Sequence, residues 1–330
     1  MKKLFAFIIL AVLFFIYPFP FTTLPDDWTL TAKDQIRTHV HKDKKKVAVK
    51  SAGLGAIHLN MPRKDVEKQL GKHQSVRRNP YNSLWYVYHQ NYRQFVLLGY
   101  SHNRVAAIYS NSPQYIDNSG VGTASTLAEI KKKKGQPLMI EEGENYRIRL
   151  DEKYILNYAA DGVRTTYFYD HFDRSVDAVM VLSEDYFQQK KRFYGDPSQT
   201  LARSYERLDF ELVNASRVKR GLPALIYHDK LSHTALKHSR NMADKQFFSH
   251  IDLKQLSPFD RMTADGIVYS RAGENLAAGQ VSPLEAHNGL MNSKGHRTNI
   301  LLQEYRQLGV GVAFNEENMP YYTENYMTGK

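Results

Sequence analysis

Three residues have the right types to do chemistry together: His250 in FFSHID, Glu274 in RAGENLAAG and His296 in MNSKGHRTNIL. Two imidazoles and a carboxylate brought into one place by folding would suit a divalent metal such as zinc, or a proton-transfer pair. The first and last are 296 − 250 = 46 residues apart, and no contiguous ligand motif such as HExxH contains any of them. A histidine at a helix start also serves as a cap or a buried hydrogen-bonding group. Spacing therefore leaves both readings open. His233, His238 and His287 are set aside, because they lie in helical stretches with no carboxylate placed to orient them. The chain has no Gly-x-Ser-x-Gly and no cysteine, which removes the serine elbow, thiolate chemistry and disulfides.

The elements around these residues are helical from about Thr200. Leu208, Leu212 and Ala215 form one stripe, Gly221-Leu222-Pro223 breaks the pattern, and a second helix from Asp229 turns Leu231, Ala235, Ser239 and Met242 inward. His250 follows that helix. Ser257 is placed as an N-cap with Pro258 at the first helical position and Arg261 close behind. Gly273 and Gly279 flank the Glu274 segment and permit close packing, so its carboxylate need not be solvated.

The preceding part of the chain has a different texture. NMPRKDVEKQLGK predicts a short helix stopped at Gly71, and SLWYVYHQNYRQFVLLGYSHNRVAAIYSNS predicts three strands. The pattern then returns: TASTLAEIKKKKGQP ends at Gly135, and YILNYAADGVRTTYFYDHFDRSVDAVMVLSE repeats the strand run after a small insertion. Residues 53–184 thus predict one duplicated α+β domain, followed by a connector at 185–204. Its alternating Tyr and Trp residues are expected in the sheet core rather than on a ligand platform. Its task is presentation or partner binding.

At the N-terminus Lys2 and Lys3 precede an uncharged run from Leu4 to Leu24, and Asp26 and Asp27 follow. This predicts a membrane-targeting segment at 1–24 that keeps its tail in the cytoplasm and the bulk of the chain outside. No small-x-small pair marks a cleavage site, which favours a retained anchor, with secretion after cleavage as the alternative. A basic linker at 25–52 includes KDKKKVAVK. The formal charge of +11 over 330 residues suits anionic lipid or an acidic wall, while the wide spread of lysine argues against nucleic acid.

The segments LVNASRVKRGLPAL, FFSHID, SPFDRM, AGENLAAG, MNSKGHRTNILLQEYRQLGVGV and YYTENY, in this order over 205–330, resemble the CAP superfamily. This is the family of cysteine-rich secretory, antigen 5 and pathogenesis-related proteins, here in a cysteine-free bacterial form. The duplicated region resembles the CAP-associated N-terminal domain of Bacillus-type bacteria. The resemblance implies an α+β chain whose C-terminal domain is an α-β-α sandwich, with a small antiparallel sheet between helices. It also implies a cleft lined by two histidines and two acidic residues. His250 takes the place of the first histidine, Glu274 of the first glutamate and His296 of the second histidine. The second glutamate is missing: the family's tryptophan position falls at Leu290, and the third residue on is Ser293. Glu324 on the final strand is the candidate to approach the cleft in its stead, and Ser293, Arg297 and Asn299 are expected to fix the helix presenting His296.

The function expected is that of an exported, envelope-attached binding module at the cell surface or in a spore envelope. Its partner would be an envelope component, a lipid or a protein. The alternative is a metal-dependent hydrolase, with zinc on His250 and His296 and with Glu274 as third ligand or general base. Either reading requires His250, Glu274 and His296 to converge, with Glu274 in hydrogen-bond reach of a ring.

Overall fold

The computed structural model describes residues 52–150 and 153–330. The expected membrane segment at 1–24 and all of the linker but Ala52 lie outside the described residues. Among those described, no helix is long and apolar enough to cross a membrane.

The N-terminal half opens with a two-residue ladder, β1 (Gly53–Leu54) and β2 (Ile57–His58), followed by α1 (Arg63–Leu70), β3 (Ser75–Arg78), β4 (Leu84–Gln90), β5 (Arg93–Ser101) and β6 (Arg104–Ser110). Then come α2 (Leu127–Lys134), the small hairpin β7 (Ile140–Gly143) and β8 (Tyr146–Arg149), and the meander β9 (Ile155–Ala160), β10 (Val163–Asp170) and β11 (Ser175–Ser183), closed by the short α3 (Glu184–Phe187). Seven strands form one antiparallel sheet in the order β3-β4-β5-β6-β11-β10-β9. Each expected helix stops at its glycine, Gly71 with φ 74° and Gly135 with φ 78°. The tight turns His102-Asn103 (φ 47° and 61°) and Asp161-Gly162 (φ 52° and 74°) take positive φ at both central positions, as type I′ hairpin turns require.

Both faces of this sheet are covered. Tyr88, Val96, Leu98, Tyr167 and Val179 pack toward Val66 and Ile130 of α1 and α2, while the alternate residues Trp85, Val87, Phe95, Leu97, Phe168 and Met180 form a second core. The aromatic residues are therefore sheet core, as expected from their alternation.

The C-terminal half comprises α4 (Gln199–Lys219), β12 (Ile226–Tyr227), α5 (Asp229–Lys245), α6 (Pro258–Ala264), β13 (Arg271–Ala278), α7 (Pro283–Met291), α8 (Lys294–Leu301), β14 (Gln307–Phe314) and β15 (Pro320–Thr328). Its sheet runs β12-β14-β15-β13, antiparallel except for β12 beside β14. One face meets α5 through Ser239, which bonds the Gly311 carbonyl and Thr323. The other face meets α4 through Tyr205 and Val213, in one core with Tyr322 and Tyr326.

The stripe Leu208, Leu212 and Ala215 does not face that sheet. It packs on the N-terminal sheet with Trp85, Phe95 and Met180, so α4 lies between two sheets and belongs to both cores. A helix with one apolar stripe covers one surface, whereas this one is apolar on two sides and is accordingly buried over most of its length. Leu212→Ala should cost about 3 kcal/mol from the lost contacts and the cavity. Calorimetry should record one lowered transition for the whole described region; two separate transitions would contradict a shared core.

Beside this apolar contact runs a polar seam. Arg220 Nη2 donates to Asp170, Asp173 and Asp177 at 2.9, 2.9 and 3.0 Å, Lys219 reaches Asp177 at 2.9 Å, and Arg297 donates to Asp170 and Asp173 at 2.5 and 3.0 Å. Burial alone would raise Asp177, but Lys219 and Arg220 outweigh it and hold the carboxyl well below the usual range. Asp173 is lowered in the same balance, by Arg220 and Arg297 against burial. The stability these depressed carboxylates contribute is present above the unfolded Asp value near 3.9 and is lost as pH falls through the folded values. Melting temperature should therefore fall more steeply below about pH 4 in the native chain than in Asp177→Asn, which should be less stable at pH 7 and less acid-sensitive.

Candidate functional site

The residues expected to line the cleft gather around β13, the edge strand of the C-terminal sheet. Gln246, with φ 53°, ends α5 in the left-handed conformation and releases the loop that carries His250. Two bonds pin this loop. His238 Nε2 pairs with the Ser249 carbonyl at 2.9 Å, and Arg261 Nη1 donates to the carbonyls of His250 (2.9 Å) and Leu256 (2.8 Å). Arg261 is placed by α6, whose start is the expected Ser257 cap, here a capping box closed by Asp260.

Glu274 is buried on β13, and both of its oxygens are engaged. His250 Nδ1 donates to Oε1 at 2.9 Å, and Arg261 Nη2 donates to Oε2 at 2.8 Å. Strand alternation sends the next side chain, Asn275, to the opposite face, where its Nδ2 donates to the His296 carbonyl at 3.2 Å. Asn299 of α8 closes the link, donating to the Glu274 carbonyl (3.2 Å) and to Asn275 Oδ1 (2.9 Å). This approach depends on Gly273: a Cβ there would meet Tyr305 Oη at 2.3 Å and Asn299 Oδ1 at 3.0 Å.

His296 sits in the first turn of α8 and is held in its neutral form, its pKa lowered to about 4 by burial first and by the like charge of His250 second. The two imidazoles thus share one electrostatic neighbourhood, and the His250 side chain remains 42% exposed. Arg297 fixes the same turn through Asp170 and Asp173 and through the Met291 carbonyl at 3.2 Å. Asn292 ties the α7–α8 junction to the N-terminal domain, donating to the Tyr169 carbonyl at 2.8 Å and accepting from the His171 amide at 2.9 Å.

The expected hydrogen bond between Glu274 and a ring is thus present. Arg297 and Asn299 fix the His296 helix as expected, whereas the Ser293 side chain makes no cap bond. Arg261 was legible only as a helix residue; its central place follows from the loop folding back over α6. Two expectations need correction. Glu324 does not approach the cleft: it pairs across the ladder with Asn275, on the face opposite Glu274, and bonds Asn275 and Tyr326. His287 does have carboxylates near it, because α4 and β15 bring Asp209 and Glu324 to it from distant parts of the chain.

The fit of a zinc-type ion follows from these contacts. With Nδ1 committed to Glu274, His250 offers Nε2, and His296 offers a neutral ring. Glu274 stands as the carboxylate that orients His250, since Arg261 holds its other oxygen. The three do not bring ligand atoms within 4.8 Å of one another. The cleft supplies two nitrogen donors, one fewer than catalytic zinc sites usually take from protein.

Comparison with known proteins agrees with this architecture. The model of the cysteine-rich secretory protein family matches residues 210–326, and that of the CAP-associated N-terminal domain matches 59–193. Among curated proteins, the chain is 24% identical over 324 residues to the "uncharacterized membrane protein YlbC" of Bacillus subtilis, covering 92% of each. It is 45% identical over 108 residues to the "uncharacterized protein YkwD" of the same organism, a match covering 33% of this chain and 42% of that one. Among solved structures, an extracellular SCP-domain protein from Bacillus anthracis superposes with a TM-score of 0.69 at 22% identity, over 88% of this chain and 97% of that one. A cysteine-rich secretory protein from Staphylococcus aureus superposes with 0.64 at 15% identity, over 82% and 93%.

Proposed function

As the chain belongs to the CAP superfamily, in a cysteine-free form with a CAP-associated domain in front, we propose that it acts outside the cytoplasmic membrane as an envelope-attached binding module. The observation that carries the binding role is the saturation of Glu274 by His250 and Arg261, with Ser293 where the family places a second glutamate. A cleft so satisfied holds a shape and presents an exposed imidazole. It leaves no carboxylate free to activate water. The membrane-protein name of the similar YlbC and the extracellular description of the B. anthracis structure support the location, together with the apolar N-terminal run. We read the N-terminal domain as two copies of a helix-plus-meander unit, supported by the mirrored order β4-β5-β6 against β11-β10-β9, with β7 and β8 as the insertion.

A second reading has one observation in its favour. Glu274 bonds Nδ1 of the partly exposed His250 ring, the carboxylate–imidazole arrangement that orients a metal-binding histidine, and this suits a hydrolase using His250 and His296. The test uses protoplasts of a Gram-positive host making the full chain. External protease should degrade it, and it should remain with the membrane fraction; protection from protease would exclude the location. Purified full-length protein should co-sediment with cell-wall sacculi or phosphatidylglycerol vesicles and lose that binding in His250→Ala. Zinc-dependent cleavage of the sacculi, abolished by the same substitution, would replace the binding role by the hydrolase.

A further inference from the structure

Behind the cleft, on the other face of the sheet, three ionisable side chains meet in the core: Asp209 from α4, His287 from α7 and Glu324 from β15. Each offers a ligand atom, and these atoms all lie within 4.8 Å of one another. They are enclosed, with Asp209 and Glu324 0% exposed and His287 4%. Buried polar atoms are nearly always hydrogen-bonded, yet here His287 Nδ1 has no partner, and Asp209 and Glu324 Oε1 meet only each other, a contact two carboxyl groups can make only through a shared proton. An unpartnered imidazole nitrogen and a carboxyl pair converging in the core call for a common explanation.

The groups around them look like supports. Ser216 Oγ lies 2.7 Å from His287 Nε2, which fixes the ring and leaves Nδ1 free. Asn275 Nδ2 and Tyr326 Oη both donate to Glu324 Oε2, at 2.9 and 2.6 Å, which leaves Oε1 to Asp209. Outer partners of this kind orient ligands in metal sites. Burial and the facing Glu324 raise Asp209, burial raises Glu324, and no lysine or arginine offsets either. Two buried carboxylates with no cation require a proton or a metal between them.

We propose that Asp209, His287 and Glu324 form a buried divalent-metal site of the zinc class, separate from the cleft. One imidazole and two carboxylates suit that class, and a contraction of about an ångström would bring them to tetrahedral spacing. An enclosed site is filled as the chain folds, so the ion ties α4, α7 and β15 together. Through Asn275, which bonds both Glu324 and the His296 carbonyl, the site also braces the cleft.

The experiment refolds the full-length chain in detergent from denaturant, with zinc or with chelator. The probe protein is the His250→Ala/His296→Ala variant, which removes the cleft imidazoles. It should retain close to one equivalent of zinc and melt higher when refolded with the metal, and cobalt in place of zinc should give tetrahedral d–d absorption. Adding Asp209→Asn or Glu324→Gln, both near-isosteric, should weaken zinc retention at least tenfold and remove the zinc-dependent rise. Zinc-free refolding of the probe protein with no cobalt spectrum would overturn the site. So would amide variants that melt higher than their parent in zinc, the signature of a carboxyl pair bridged by a proton.

Discussion

Gly311→Ala should be among the most damaging single-methyl additions to this chain, costing more than about 4 kcal/mol and lowering soluble yield. The added Cβ would lie 2.0 Å from the Leu236 amide nitrogen and 2.4 Å from the Ala235 carbonyl carbon. Both atoms belong to the backbone of α5, so no side chain can swing aside; the helix itself must lift from β14. Gly309 is in the same position, with Ser232 N at 2.2 Å. Lifting α5 would also displace the loop carrying His250. The control is Gly289→Ala in α7, where nothing lies within 4 Å and helix propensity favours alanine by about 1 kcal/mol. Thermal melts of the two variants should move in opposite directions. A Gly311→Ala protein that melts like the native one would show that α5 does not rest on the strand.

Glu274→Ala should cost roughly 3–5 kcal/mol, because it strands the buried Arg261 guanidinium. Arg261 would keep its bonds to the His250 and Leu256 carbonyls but lose its only anionic partner among its bonds here. Two causes can be separated. If the stranded charge dominates, Glu274→Ala/Arg261→Met should melt well above Glu274→Ala; if lost packing dominates, the double variant should fall by the sum of the singles. Glu274→Gln keeps one accepting oxygen, enough for Arg261, while its amide N–H2 can meet His250 Nδ1 only if that ring takes the other tautomer; it should cost less than the alanine variant, on the order of 1–2 kcal/mol.

Much of this was legible from local signals. Gly71 and Gly135 marked helix ends, alternation marked β4, β5, β6 and the second meander, and Ser257-Pro258 marked the start of α6. The pairing of Glu274 with a cleft histidine followed from the motifs, because the family resemblance supplied a three-dimensional arrangement that spacing does not. What escaped were facts of long-range packing. The stripe Leu208, Leu212 and Ala215 announces a buried face but not which surface covers it, and the covering surface proved to be a sheet more than 100 residues earlier in part, at Trp85 and Phe95. His287 looked unaccompanied because its carboxylates come from Asp209 and Glu324, far off in sequence on either side. β3 escaped because SVRR carries little apolar signal; it is positioned by the neighbouring strand and by Arg77 and Ser75 bonding Glu211 of α4.

The placement of α4 between two sheets limits how these domains can be exchanged. Its residues form a single-copy part claimed by two neighbours: Tyr205 and Val213 by one, Leu208 and Leu212 by the other. A graft that joins this N-terminal domain to a foreign CAP domain must bring the outward face of the incoming helix, together with partners for Asp170, Asp173 and Asp177 at the positions of Arg220 and Arg297. A CAP domain that exists alone has no reason to present that face. A crossover upstream of Gln199 parts the N-terminal sheet from its helix face, and one downstream of Lys219 parts that helix from the CAP sheet, so a working exchange between tandem and stand-alone members should require one side of α4 to be rebuilt.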